Sequence, residues 1–266
     1  QRFHQKVVVV KFGGNAMVDE KLQRAFCEDM AYLRWVGIKP VVVHGGGPQI
    51  NTALESAGIT SEFVGGFRVT TPEVFEVVER VLSKEVGPRV ASTLSREGVN
   101  AQSLEGRRII RATKQSTLVD GSKADLGLVG EVVSVDAQPL QELISSGVVP
   151  VISPIASDGK GQGLNVNADI ASAAIAGALN AQELIIMTDV AGIYRHWPDA
   201  NSLISEISAP ELEKIKGSFE EGMAPKVQAT LDAIKSGAKA VRIIDGKNPE
   251  AFALALAHTG GTLVVA

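Results

Sequence analysis

Cysteine is almost missing from this 266-residue chain: the one thiol, Cys27, cannot close an intrachain disulfide, so no cross-linked secreted framework is indicated. Long apolar runs are missing too. None approaches the ~18 to 20 residues that cross a bilayer, and Val7 to Val10, the longest strongly apolar run near the start, is too short for a signal-peptide core. The expected compartment is therefore the cytoplasm. Positive charge is not in excess, since 26 Lys and Arg stand against 30 Asp and Glu, for a net charge of −4 and a pI near 5.7. No basic surface invites nucleic acid or an anionic membrane, and any phosphate partner must be held locally. The four histidines, His4, His44, His196 and His258, show no pair at ligand-like spacing, which argues against a protein-held transition metal. Trp35 and Trp197 carry no stacking pattern and read as packing residues.

What is present is the balance of a folded protein, 45% hydrophobic and 21% charged. At roughly 150 residues per domain, the length fits one large domain or two modest ones enclosing a cleft. Short Val/Ile runs recur, each followed by a turn signal and then a stretch of helical period. Lys6 to Phe12 precedes Gly13-Gly14 and a helix from Asp19 to Val36; Pro40 to His44 precedes Gly45-Gly46-Gly47 and a helix opened by Pro48. Val148 to Ile152, Leu184 to Thr188 and Ala240 to Ile244 are nearly continuous apolar runs, as strands buried on both faces are. Further helices are predicted over Ala137 to Ser146, Ala168 to Leu179, Ala224 to Ser236 and Pro249 to His258. This alternation predicts an α/β fold with a mainly parallel sheet covered on both faces. Shorter alternating pieces, Arg107 to Ala112 and Val129 to Val135, predict hairpins added to that sheet.

Two successive strand-to-helix turns are glycine-rich, FGGN at 12 to 15 and HGGGP at 44 to 48. Either alone suits a tight turn with positive φ; together, with Lys11 ending the first strand, they point to one anion site at the carboxyl ends of parallel strands. Neither GxxxxGK[ST] nor GxGxxG is present. A third loop, SDGKGQGLNVNAD at 157 to 169, sets Asn165, Asn167 and Asp169 before an alanine-rich helix, where Asp169 is either a helix cap or a functional acid. Lys226 falls in the first turn of a predicted helix, where a cation is not favoured; it is either solvated surface or part of a site. Arg68, between Phe67 and Val69, either pairs with an acid such as Glu62 or recognises a carboxylate. His44 reads as a structural hydrogen-bonding residue rather than a base.

In order and separation, KFGGNAM, VVHGGGPQI, GFRVT, LNVNAD, TDVAGIY and GMAPK resemble the amino acid kinase superfamily, from Lys6 to about Ile244, and within it most the branch acting on N-acetyl-L-glutamate in arginine biosynthesis. The resemblance implies an open αβα sandwich in two lobes, residues 1–180 for the acetylated amino acid and dimerisation and 181–266 for ATP. It implies that Lys11 and Lys226 contact the transferring phosphoryl group and that Asp169 orients both. It places the substrate α-carboxylate on Arg68, with Asn165 and the backbone of Gly46 and Gly47 completing the pocket. Gly13 and Gly14 would meet the ATP phosphates, while Thr188, Asp189, Gly192 and Tyr194, with Ser218, Phe219, Glu220, Gly222 and Met223, would surround the nucleotide. Mg²⁺ would arrive with ATP rather than at a dedicated protein site.

A side-chain carboxylate with a pKa of about 4.3 is already ionised at neutral pH, so the implied reaction needs no base. It needs cations, because two anions must be brought together. Closure of the lobes, with movement of loops 157–164 and 217–222, would exclude water from an acyl phosphate. Related kinases act on acetylaminoadipate, carbamate, aspartate or glutamate, and a non-catalytic ligand sensor is the alternative of another class. Arginine-inhibited members resemble one another in an N-terminal helix that joins dimers into a hexameric ring. Here only Gln1 to Gln5 precede the first predicted strand and HTGGTLVVA ends the chain, so a homodimer is expected, and a hexamer only if such a helix precedes Gln1.

Overall fold

The computed structural model describes residues 3–118, 120–219 and 223–266. Strand β1 (Val7–Phe12) leads through a 3-10 turn to helix α1 (Glu20–Trp35), and β2 (Lys39–His44) leads to α2 (Gly47–Ser56). A short hairpin, β3 (Phe63–Val64) and β4 (Phe67–Arg68), precedes α3 (Pro72–Glu79), a π-helical stretch over Arg80–Val86 and α4 (Gly87–Arg96). Next come β5 (Ala101–Leu104), β6 (Ile110–Lys114), β7 (Gly130–Val135), α5 (Gln138–Ser145), β8 (Val149–Ile152), β9 (Ile155–Ser157), β10 (Gly163–Asn165) and α6 (Ala168–Ala178). The chain continues through β11 (Glu183–Thr188), β12 (Glu206–Ser208), α7 (Ala209–Ile215), α8 (Ala224–Lys235), β13 (Ala240–Asp245), α9 (Ala251–Leu256) and β14 (Thr262–Val265).

Among the described residues, eight strands form the central sheet in the order β12-β14-β13-β11-β1-β2-β8-β5. All neighbours run parallel except β13 and β14. Every residue of β11 and all but the first of β1 are buried, which is why these strands lack the apolar–polar alternation of a half-wet sheet. β1 is flanked by β2 on one side and by β11, from much later in the chain, on the other. The strand order therefore reverses at β1, and in open parallel sheets such a reversal opens a ligand crevice at the strands' carboxyl ends. Lys11, His44 and Thr188 lie at those ends.

The two alternating segments do pair antiparallel, as β6 and β7, but they are not additions to the central sheet. With β9 and β10 they make a separate four-stranded sheet, in the order β10-β9-β6-β7. The physical reason is their wet face: β6 alternates buried and exposed residues, and such a strand cannot sit in a sheet covered by helices on both sides. Arg107 and Arg108 precede β6 in a 3-10 turn begun by Gly106, where a Cβ would lie 2.0 Å from the Ser153 carbonyl oxygen. The last predicted helix is also shorter than the sequence pattern suggests, because His258 takes φ +61° and the chain leaves the helix before it.

One hydrophobic core runs through the central sheet and across residue 180, joining Val9 and Phe26 to Ile186 and Ile243. A small satellite cluster, Phe67, Leu126 and Val129, lies under the β3–β4 hairpin. In the main core the rings of Phe12 and Phe26 stack with centroids 3.9 Å apart, fixing α1 against the strand that ends in the first glycine turn. Phe26→Ala is expected to cost about 3–5 kcal/mol, read as a lower midpoint in equilibrium urea unfolding; a loss below about 1 kcal/mol would show that this contact does not hold α1 in place.

Candidate active site

The two glycine turns touch. A Cβ on Gly45 would lie 3.5 Å from the Cα of Gly13, and a Cβ on Gly13 would press within 3.0 Å of the Lys11 side chain. Gly14 takes φ +66°, and a Cβ there would meet the Asp189 carboxylate at 3.0 Å. Left-handed backbone thus explains Gly14 and the close approach of the Lys11 side chain explains Gly13, whereas a Cβ on Gly45 would make only ordinary van der Waals contact. The Gly45 N–H donates to the Phe12 carbonyl at 2.7 Å, binding the second turn to the end of β1.

Asn167, not Asp169, caps α6: its Oδ1 accepts from the N–H groups of Asp169 at 2.8 Å and Ile170 at 3.4 Å. This leaves the Asp169 carboxylate for two lysines. Lys226 donates from Nζ to Oδ2 at 2.8 Å. Lys11 Nζ stands 3.0 Å from Oδ1, at ion-pair distance but off the direction of a hydrogen bond, and also donates to the Met187 carbonyl at 3.4 Å. Asp169 is only 4% exposed. Burial works to raise its pKa, but the positive charges of Lys11 and Lys226, with the hydrogen bond from Lys226, overcome that and hold it down at about 2. Lysine in the first turn of α8 is thereby explained by the acid it reaches across to.

Arg68, at the end of β4, is buried without a carboxylate partner among the described residues. Glu62 does not take it. Its Nη1 donates to Ser61 Oγ and its Nη2 to Asn51 Oδ1, each at 2.7 Å, and its guanidinium lies 4.6 Å from the centre of the Phe63 ring. Desolvation lowers its pKa. These neutral partners orient the fork without cancelling its charge. The Asn165 amide donates to Thr70 Oγ1 at 3.1 Å, and Thr70 Oγ1 donates to the Arg68 carbonyl at 2.8 Å, tying β10 to the hairpin.

Lys11, Gly14, Gly46, Gly47, Arg68, Asn165, Asp169 and Lys226 all line one cavity of about 290 Å³. Its formal charge is 3 − 1 = +2, from Lys11, Arg68 and Lys226 against Asp169. A larger cleft of about 560 Å³ lies between β7, α6 and α8. Its charged lining, Lys235 with Glu131 and Asp232, sums to −1, so an anionic ligand belongs in the smaller one. Of the remaining sequence candidates, Gly13 packs behind Lys11, while Thr188 ends β11 and Asp189 stands beside Gly14. Gly192 lies against Thr262, where a Cβ would approach Oγ1 to 2.4 Å, and Tyr194 meets Trp197 edge to face. Ser218 Oγ donates to the Ile215 carbonyl. These residues, with Phe219 and Met223, are not in the cavity lining; Glu220 and Gly222 lie outside the described residues. Sequence reasoning missed Asn51, Ser61 and Phe63, the three partners of Arg68. Asn51 sits one helical turn past Gly47, which is the only local signal among them.

His44 is fully buried, and its Nδ1 donates to the Gly45 carbonyl at 2.7 Å, while Nε2 meets no partner among the described residues. Burial pushes its pKa down to about 4, partly offset by that bond, so the ring is neutral near pH 7. A histidine depressed in the folded state contributes stability that is present above its unfolded pKa of about 6.5 and is lost as pH falls through about 4. Asp29, raised by burial to about 7, acts in the opposite sense over the same range. The expected result is therefore a difference: as pH falls from 6.5 to 4, wild type loses about 3 kcal/mol more unfolding free energy than His44→Asn. Urea titrations at several pH values check this, and a pH-independent difference would refute the buried neutral ring.

The profile of the amino acid kinase family matches residues 6–245. Acetylglutamate kinase from Kineococcus radiotolerans is 49% identical over 276 residues, covering 100% of this chain and 92% of that protein. Acetylglutamate kinase from Corynebacterium jeikeium is 46% identical, with 97% and 82% covered. Among solved structures, N-acetylglutamate synthase from Neisseria gonorrhoeae, complexed with coenzyme A and N-acetyl-glutamate, superposes with a TM-score of 0.85 at 21% identity, a likeness of fold. All of this chain is covered there, and it spans 60% of that chain's length. With a matching profile over nearly all its length, relatives close to half identical and the expected mainly parallel sheet, the chain belongs to the amino acid kinase family.

Proposed function

We propose that this chain transfers the γ-phosphoryl group of ATP to the γ-carboxylate of N-acetyl-L-glutamate, giving N-acetyl-L-glutamyl 5-phosphate and ADP, a step of arginine biosynthesis. The observation that carries the proposal is the pair of ammonium groups on one buried carboxylate, inside a cavity whose third cation is an arginine with only neutral partners. A carboxylate oxygen attacks the γ-phosphorus and the bond to the β,γ-bridging oxygen breaks, its electrons leaving with ADP. Both reactants are anionic, and a unit charge pair at about 4 Å is worth roughly 4 kcal/mol at an effective dielectric of 20. Lys11 and Lys226 supply attraction where that repulsion grows, and Asp169 holds them in place beforehand, so little reorganisation is left for the reacting moment. No base is needed, and His44, sealed in the core, could not reach a substrate proton.

In this reading Arg68, Asn165 and the amides of Gly46 and Gly47 hold the acceptor in the part of the chain up to residue 180. Gly13, Gly14 and the part from 181 to 266 hold the nucleotide. Among the described residues no three His, Cys, Asp or Glu side chains gather to hold a metal, and Asp169 is already shared by two lysines. Mg²⁺, bound to the nucleotide's phosphates, would supply charge neutralisation there. Among the described residues no helix is long and apolar enough to cross a membrane. A homodimer completes the proposal.

Trapping the acyl phosphate with hydroxylamine tests the acceptor: hydroxamate is expected from N-acetyl-L-glutamate in preference to acetylaminoadipate, aspartate, glutamate or carbamate. Product from another acceptor and none from acetylglutamate would overturn the assignment. Lys226→Ala and Lys11→Ala are each expected to lower kcat by about 10² to 10³ with smaller changes in KM. Asp169→Asn should lower kcat as well, whereas Arg68→Ala should chiefly raise the KM for the amino acid, by about 10- to 100-fold. Steady-state kinetics with each substrate varied separately decide among these outcomes, and undiminished turnover in Lys226→Ala would refute its role.

A further inference from the structure

Nothing in the proposed reaction uses His44, yet it occupies a fully buried position at the end of β2. Folding alone gives no reason for an imidazole there. Its Nε2 is buried without a partner among the described residues, an unfavourable state that an apolar side chain of similar size would avoid. Room for the ring is made by Gly87, at the start of α4, where a Cβ would stand 3.1 Å from Nε2 and 2.8 Å from Ser103 Oγ. What the ring does provide is one neutral donor, Nδ1–H, to the carbonyl of the next residue.

That next residue begins the run of three glycines joining β2 to α2. Its N–H is held by the Phe12 carbonyl and its carbonyl by His44, both at 2.7 Å, so both polar groups of Gly45 are pinned. The two glycines after it line the cavity beside Arg68 and Asn165, and around Gly47 nothing lies within 4 Å of where a Cβ would be. Three successive glycines lose more backbone freedom on ordering than residues with side chains. The Gly46 carbonyl accepts from the Ile50 N–H at 2.9 Å, which fixes the Gly46–Gly47 peptide from α2, so the peptide that depends on His44 is the one joining Gly45 to Gly46.

We propose that His44, as the Nδ1–H tautomer, is a positioning residue for the amino-acid substrate: by holding the Gly45 carbonyl it fixes the plane of the Gly45–Gly46 peptide and so aims the Gly46 amide at the acceptor. This rests on the acceptor assignment made above and names what orders that side of its pocket. A neutral ring suits the task, because a cation beside the glycine run would be a further buried charge with no acid to meet it.

The test compares His44→Leu, which removes the donor, with His44→Asn, whose amide nitrogen sits as many bonds from Cα as Nδ1. Expected is a rise of about tenfold in the KM for N-acetyl-L-glutamate in His44→Leu, larger than any change in kcat or in the KM for ATP, and recovery of most of it in His44→Asn. Equal losses for both substrates, no rise in His44→Leu, or no recovery with asparagine would each overturn the proposal. Should His44→Leu fail to fold, the imidazole ¹⁵N shifts of the wild-type chain decide: a proton on Nδ1 upholds the bond and a proton on Nε2 overturns it. Wild type that yields no acyl phosphate from N-acetyl-L-glutamate would sink the acceptor assignment instead, and the tautomer, read without substrate, would still report on His44.

Discussion

One carboxylate organises this molecule's chemistry. Asp169 receives Lys11 from the end of β1 and Lys226 from the first turn of α8, 57 residues further along the chain, on its two oxygens. Two ammonium groups brought this close repel each other, and a buried acid left alone would be protonated. Each misfit is relieved by the other. The arrangement still leaves one positive charge over, and Arg68 adds a second. The remainder of the fold can be understood as what is needed to bring these side chains to one place: a strand reversal at β1, two glycine turns in contact, and a helix capped by Asn167, so that the Asp169 carboxylate is left for the lysines.

How much of this was legible in the chain depends on where the determining forces lie. Strands buried on both faces announce themselves, because Val8 to Val10 and Leu184 to Met187 have no polar face to preserve. Helix ends with local chemistry were equally visible, as with Asp19 before α1 and Pro48 in α2. Strands β3, β4 and β12, two or three residues each, carry too few positions to show a period. The run from Pro72 to Arg96 has a capping Thr71 and an N-terminal proline, yet its valines compete for a strand assignment; tertiary burial makes it helical, with a π stretch in the middle. The β6–β7 hairpin was visible as a pair, but its membership of a second sheet is a tertiary fact.

The site divides along the same line. Glycine turns and the Asn-rich loop are local signals, whereas the choice between Asn167 and Asp169 as cap hangs on two hydrogen bonds that spacing does not reveal. Lys226 has no local reason to be where it is; its meaning comes from resemblance and then from the acid beside it. Arg68 kept two meanings until its partners were seen, since Ser61 and Asn51 come from different segments and neither carries a charge.

The β3–β4 hairpin has a consequence for affinity. It bears Arg68 and Phe63 yet belongs to neither large sheet, and beneath it lies the satellite cluster of Phe67, Leu126 and Val129. Two-stranded ribbons are marginal when isolated, so the placement of the guanidinium depends on this cluster and on Val64, Val69, Leu118, Ala124 and Ile170 packed against it. Any change that loosened the cluster would link occupancy to ordering of the hairpin, and the intrinsic grip of the pocket would be diluted by the fraction of time the hairpin spent away. Phe67 and Val129 also line the cavity, but Leu126 does not, so a methyl group gained or lost at Leu126 would tune ligand capture from behind the pocket wall.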